Sequence, residues 1–160
     1  MQLKLVSSTT REWDALFETV APHYRFLVRR DARYVAWRYL QSPAGPYAVV
    51  EIRKWRRLIG WVVVGVRGRR LTIGDALIHP EHADAFDVVL RHLARVYPVD
   101  ALDGWFPPRP AWFASVIDEI FELRPEPQDL SVMCVPFRLP DAVARMRESF
   151  YYTIGDSDLF

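Results

Sequence analysis

The stretch Leu71-Thr72-Ile73-Gly74-Asp75-Ala76-Leu77-Ile78-His79-Pro80-Glu81-His82-Ala83-Asp84-Ala85-Phe86, continuing to Tyr97, decides the architecture of this 160-residue chain. Leu71–Ile78 reads as a strand, and the break at His79-Pro80-Glu81-His82 ends it. From about Asp84, Phe86, Val89, Leu90, Leu93 and Val96/Tyr97 recur at helical spacing and form one apolar face. A strand that turns directly into a helix N-terminus makes an anion site, because free backbone N–H groups converge there.

Upstream lie two further strands of a meander. Tyr47–Lys54 alternates, with Ala48, Val50 and Ile52 on one face. Leu58–Val66 is almost continuously apolar, as expected of a central strand covered on both sides. Turns at Trp55-Arg56-Arg57 and Arg67-Gly68-Arg69-Arg70 join the three strands antiparallel. Asp75 falls mid-strand, on the face expected for Leu71, Ile73 and Leu77.

The chain opens with a short strand, Leu3–Val6. Thr9-Thr10-Arg11-Glu12 fits a capping box, with Thr9 as the cap, for a helix whose apolar stripe is Trp13, Leu16, Phe17 and Val20 and which ends at Pro22. Asp31 can cap a second helix with Tyr34, Trp37, Arg38 and Leu40 on one side, stopped by Ser42-Pro43-Ala44-Gly45-Pro46. Downstream, Asp100–Phe106 reads as a strand. Ala111–Phe121 reads as a helix turning Phe113, Val116, Ile117 and Ile120 inward. Pro125–Gln128 is a loop and Leu130–Phe137 a strand, and Pro140 fits the first turn of a last helix reaching about Glu148. The tail from Phe150 reads as a final strand with an acidic end. The order is that of one α/β domain over residues 1–160, a mixed central sheet (antiparallel meander plus crossovers) with helices on both faces.

Composition narrows the function classes. Apolar residues make up 51% and charged residues 26%, which suits a packed core, and a net charge of +1 demands no polyanionic partner. The arginines at 53–57 and 67–70 fall at opposite ends of the meander, which argues against one nucleic-acid-binding patch. The single cysteine, Cys134, lies within the apolar run Val132–Val135 and reads as a buried thiol. No apolar run approaches the roughly 18 residues of a membrane span, and the N-terminus is too short for a signal peptide. The expectation is a cytoplasmic protein without a membrane or nucleic-acid partner.

The run Arg30-Asp31-Ala32-Arg33-Tyr34-Val35-Ala36-Trp37-Arg38-Tyr39-Leu40, with Pro43 and Tyr47, and the strand–turn–helix unit ending in Ile78-His79-Pro80-Glu81, resemble the GNAT N-acetyltransferase superfamily. The first run is similar to a pattern in uncharacterised bacterial GNAT-like proteins, often in a second, degenerate half. The resemblance implies the GNAT fold from Leu3 to about Phe137, with acetyl-CoA or another acyl donor at the strand–helix junction. It assigns donor contacts to Leu77, Ile78, His79, His82, Ala83, Asp84 and Ala85. GNAT enzymes carry glycines in this loop so that phosphate oxygens can approach the backbone. Here Asp84 and Phe86 stand at those positions, and there is no glycine between Gly74 and Gly104. Aligning Ile120-Phe121 with the family's Gly-Phe puts Val116 where the tyrosine general acid belongs. Asp75 occupies a position where several GNATs place a carboxylate base, and a buried structural aspartate is the alternative reading.

Two readings follow. In one, the chain is a degenerate GNAT-fold module that binds a protein partner, a further copy of itself or a small ligand. In the other, it is an N-acyltransferase taking an amine acceptor and an acetyl-CoA or acyl-carrier-protein donor, with Asp75 as base and Tyr151 or Tyr152 as replacement acid. The carboxylates of Gly155-Asp156-Ser157-Asp158 either line a cleft that receives an amine or cation, or cap a solvated turn. His79, Glu81, His82 and His92 do not have the spacing of a zinc site, so no metal is expected.

Overall fold

The computed structural model describes residues 1–43, 45–122, 142–157 and 160. In chain order the elements are β1 (Gln2–Val6), α1 (Arg11–Val20), β2 (Phe26–Leu27), α2 (Ala32–Val35), β3 (Ala48–Lys54), β4 (Arg57–Arg67), β5 (Arg70–Ile78), α3 (Ala85–Val96), β6 (Ala101–Gly104), α4 (Ala111–Ile120), α5 (Ala142–Ser149) and β7 (Phe150–Tyr151). The main sheet runs β1-β3-β4-β5-β6. Its first four strands are antiparallel neighbours, and β6 lies parallel to β5, as a crossover through α3 requires. The expected mixed α/β architecture is present. Cys134, the loop Pro125–Gln128, the strand Leu130–Phe137 and Pro140 lie outside the described residues.

Both faces of the sheet are covered. Trp13 of α1 stacks on Trp61 of β4 with ring centroids 5.7 Å apart. On the opposite face, Phe86 of α3 packs against Phe113 of α4 at 5.3 Å and against Phe106 at 5.6 Å. This double cover explains why Val49, Val50, Glu51 and Ile52 of β3 are all buried, where alternation predicts one wet face. The buried Glu51 is compensated, accepting from Trp13 Nε1 at 3.0 Å and Arg53 Nε at 2.9 Å.

Three local expectations are corrected. The helix α1 begins one residue later than the capping box implies; its N-cap is Thr10, and the Thr9 hydroxyl donates instead to the Ala32 carbonyl at 3.0 Å. The second helix is capped as expected, with the Tyr34 N–H donating to Asp31 Oδ1 at 2.9 Å. It then widens into a π-helical turn, Ala36–Leu40, closed by the Gln41 N–H on the Ala36 carbonyl at 2.9 Å. Its buried residues are Val35 and Tyr39, while Trp37 is 67% exposed.

The third correction bears on the site. Along β4 and β5, Val63 faces Asp75 but Val64 faces Ile73, so Gly74 is an extra residue on β5. Such a bulge reverses which side of the sheet the following residues occupy. Asp75 therefore shares a face with Leu77, Val63 and Trp61, the α1 side, and Leu71 and Ile73 point to the other. The tail is also rearranged: β7 pairs in parallel with β2 in a separate two-stranded sheet, Phe26 opposite Phe150 and Leu27 opposite Tyr151.

Candidate functional site

The pairing of β5 with β6 stops at Ile73 opposite Gly104. From Gly74 to Ile78, β5 continues with β4 on one side and, among the described residues, no strand on the other. A strand edge exposed inside a fold must have its N–H and C=O groups satisfied by something. It is also where an extended ligand with amide groups can add as a further strand. Here the chain's own side chains take the place. The Tyr151 hydroxyl donates to the Ala76 carbonyl at 3.0 Å, and the Ala76 N–H donates to Asp75 Oδ1 at 2.9 Å. Phe113 packs against Tyr151 at 5.8 Å and Phe106 at 5.7 Å, and Tyr24 meets Tyr151 edge-on at 4.9 Å. These rings pack together around Tyr151, whose hydroxyl holds β5 beyond the end of its pairing with β6.

Asp75 is the centre of a buried polar network. Its side chain and that of Arg30 are both 0% exposed, with Arg30 Nε 3.0 Å from Oδ1 and 3.1 Å from Oδ2. Tyr39 OH donates to Oδ2 at 2.8 Å and Thr153 Oγ1 to Oδ1 at 3.2 Å. Arg30 Nη2 donates to Asp156 Oδ2 at 2.5 Å, and Nη1 to the Val28 carbonyl at 3.3 Å. The Arg30 guanidinium also lies over the Tyr151 ring, 5.3 Å from its centroid. Burial pushes the Asp75 carboxyl above the usual carboxylate range, and the Arg30 guanidinium opposes that rise. Burial would lower the pKa of Arg30, but Asp75 and Asp156 outweigh it, so the guanidinium stays charged. A carboxylate already receiving Arg30, Tyr39, Thr153 and the Ala76 N–H has few free lone pairs for a substrate proton.

Two separate runs meet in this network. Arg30, Arg38 and Tyr39 come from the run that carries the bacterial GNAT-like pattern; Thr153, Gly155 and Asp156 come from the tail. Arg38 Nε donates to the Gly155 carbonyl at 3.0 Å and Nη2 to the Ser157 carbonyl at 2.7 Å. Asp156 caps its own turn, accepting from the Thr153 N–H at 2.8 Å. The tail lies close on the bulge: a Cβ at Gly155 would stand 2.4 Å from Tyr39 Oη and 2.7 Å from the Gly74 carbonyl oxygen. Beyond it, the Phe160 ring occupies the space that a side chain at Gly74 would need, 2.0 Å from the ideal Cβ. The cation that Asp156 receives is thus the chain's own Arg30. Asp158 lies outside the described residues.

At the strand–helix junction, Leu77 and Ile78 are buried and Pro80–His82 forms a single 3₁₀ turn. The Glu81 N–H donates to His79 Nδ1 at 3.3 Å, the His82 N–H to the His79 carbonyl at 2.8 Å, the Ala83 N–H to the Pro80 carbonyl at 3.3 Å, and the Phe86 N–H to the Ala83 carbonyl at 3.1 Å. These four N–H groups are satisfied within the turn itself. Asp84 sits at the N-cap of α3 with helical backbone angles and makes no side-chain cap, and Ala85 and Phe86 are buried. The His79 and His82 rings are 5.7 Å apart, with His23 6.3 Å from His79. Among the described residues, no three His, Cys, Asp or Glu side chains are placed to hold a metal ion.

Tyr151 therefore stands beside Asp75 in the strand gap, while Tyr152 is half-buried and faces Phe150 at 6.2 Å. Arg30, Tyr39 and Thr153 were missed as site residues. Their positions in the chain carry no periodic signal, and only the fold brings them within reach of Asp75.

No protein-family model matches the sequence, and no curated protein does. Solved structures do match. A ribosomal-protein-alanine N-acetyltransferase from Brucella melitensis biovar Abortus 2308 superposes with a TM-score of 0.53 at 19% identity, covering 86% of this chain and all of that one. A tandem GNAT protein from the clavulanic acid biosynthesis pathway gives a TM-score of 0.53 at 19% identity over 73% of this chain, which spans 43% of that longer protein. In both cases the likeness is one of fold. The chain has the GNAT acetyltransferase fold.

Proposed function

We propose that this chain is a GNAT-fold module whose donor and acceptor sites are closed by its own side chains, and that it works by binding a partner rather than by acyl transfer. The observation that carries this reading is the ion pair of Arg30 with Asp75, which ties the one carboxylate at the β5 bulge to a buried cation. Two further features support it. Tyr151 holds the Ala76 carbonyl on the β5 edge where a donor's pantetheine arm would add, and the Glu81, His82, Ala83 and Phe86 N–H groups of the junction before α3 are in internal bonds.

A second reading rests on the raised pKa of Asp75, which suits a base, with the Tyr151 hydroxyl a short step along β5. It is an N-acyltransferase that uses an acyl-CoA or an acyl carrier protein after the tail has moved aside, with Tyr151 or Tyr152 as the acid. Calorimetry with acetyl-CoA separates the two. The module reading expects no binding heat at millimolar acetyl-CoA. Micromolar binding that is weakened by Ala85→Trp would overturn it and restore the enzyme.

A further inference from the structure

The turn between β3 and β4 carries chemistry that neither the core nor the closed site uses. Lys54 pairs with Arg57 and closes a loop of only two residues, Trp55 and Arg56. Both are left-handed, with φ of 50° and 71°. A turn of this kind favours Asn-Gly, and a tryptophan in it is a backbone outlier. The Trp55 side chain gains no packing in exchange, because the residue is 93% exposed, more than any other large apolar residue described. Strain retained without a packing reward points to use of the side chain outside the fold.

The charges around this tip are unbalanced. At the far end of the meander, Arg69 pairs with Asp100, and Arg70 pairs with Asp103 at 2.5 Å. Near the tip, Arg53 is held by Glu12 at 2.6 Å and Glu51 at 2.9 Å. Lys54, Arg56 and Arg57 are exposed and form no ion pair among the described residues. The register of β1 on β3, Gln2 opposite Arg53, brings the exposed Met1 beside Lys54. The result is a convex tip of three cations around one indole and one thioether.

We infer that this hairpin tip docks the protein on an anionic bilayer surface, with Trp55 at the headgroup level and Lys54, Arg56 and Arg57 on acidic lipid headgroups. An indole with flanking cations is the composition that the lipid interface favours. A single-stranded nucleic acid needs a basic groove with several stacking platforms, and this tip is convex with one ring. A stable protein interface needs a broad patch, and this two-residue turn is too small to supply one. The absence of a spanning helix does not bear on contact of this kind, which uses the surface alone. Each cation near such a surface strengthens binding roughly fivefold, so the three together contribute about a hundredfold.

The test is vesicle flotation. One set of vesicles is pure phosphatidylcholine and the other contains about 30 mol% phosphatidylserine, the composition that supplies the surface charge. The protein is expected to float with the anionic vesicles only, and to lose most of that binding in high salt. Trp55→Ser and the pair Arg56→Gln/Arg57→Gln should each weaken it by about tenfold or more. Trp55→Asn/Arg56→Gly supplies the turn chemistry that the backbone prefers, so it should fold at least as stably yet float no better than Trp55→Ser. Equal flotation on both vesicles, or full binding by the stabilised double variant, would overturn the inference. So would tip-dependent binding of a single-stranded oligonucleotide in place of vesicles. None of these results depends on whether acetyl-CoA binds.

Discussion

Replacing Arg30 by Met removes the only buried cation that the described residues bring to the Asp75 network. Asp75 keeps the Tyr39 hydroxyl, the Thr153 hydroxyl and the Ala76 N–H, but it loses its counter-charge in a site with 0% exposure. Removing one partner of a buried pair typically costs about 3–5 kcal/mol, because the remaining charge is left uncompensated. Asp156 adds less, since its side chain is 14% exposed and keeps the Thr153 N–H. Against a total stability of about 5–15 kcal/mol, the loss should be visible without unfolding the protein outright. In urea, with a slope of about 2 kcal/mol/M, the midpoint should fall by about 2 M. Arg30→Met/Asp75→Asn removes both fully buried charges, leaving only the partly exposed Asp156, while the amide oxygen still accepts, so it should recover about half of the loss or more. The pH dependence has a definite sign. Without Arg30, burial raises the Asp75 pKa with its largest opposing influence gone, so the destabilisation is full above that raised value and fades as pH falls towards the unfolded carboxyl near 4. The single variant should therefore lie closer to wild type at pH 4 than at pH 8. A midpoint within about 0.5 M of wild type, or a double variant no more stable than the sum of the two singles, would refute the view that this pair carries the site.

The tail offers a graded comparison. In Gly74→Ala the atoms nearest the new methyl all belong to the Phe160 ring, which can move aside; the expected loss is about 2 kcal/mol in urea. In Gly155→Ala the methyl meets the Gly74 carbonyl oxygen at 2.7 Å, so backbone must shift, and the larger loss in thermal melts should belong to this variant. Burial raises the phenol pKa values of Tyr24, Tyr39 and Tyr151 well above 10. Burial likewise takes Tyr34 to about 12. Their stabilising effect is complete below the unfolded pKa near 10 and is lost as pH rises; at pH 11 each deeply buried phenol should cost about 1.4 kcal/mol. Tyrosinate absorbance from these residues should then appear together with loss of the folded circular dichroism, and ionisation ahead of unfolding would contradict their burial. Trp55→Asn/Arg56→Gly should raise stability by about 1–2 kcal/mol in urea, as relief of two left-handed non-glycine residues implies.

Local pattern was enough to read the meander, the α3 helix and the acidic junction at Asp84, because each rests on periodicity or on a missing glycine within a short window. The continuous apolar run of β4 announced a central strand. Asp75 was legible as a carboxylate on a strand. Its state was not, for two reasons. A single extra residue at Gly74 moves it to the opposite face from Ile73, and in a strand buried on both faces that reversal leaves no mark on the apolar pattern. Its partners Arg30, Tyr39 and Thr153 lie 45, 36 and 78 positions away, so only the folded sheet brings them together. The tail was equally open: an acidic turn near the end of a chain reads the same whether it meets water or a buried guanidinium. Which side chains converge is settled by three-dimensional packing, because electrostatic pairing in a dry interior depends on distance in space and not on distance along the chain.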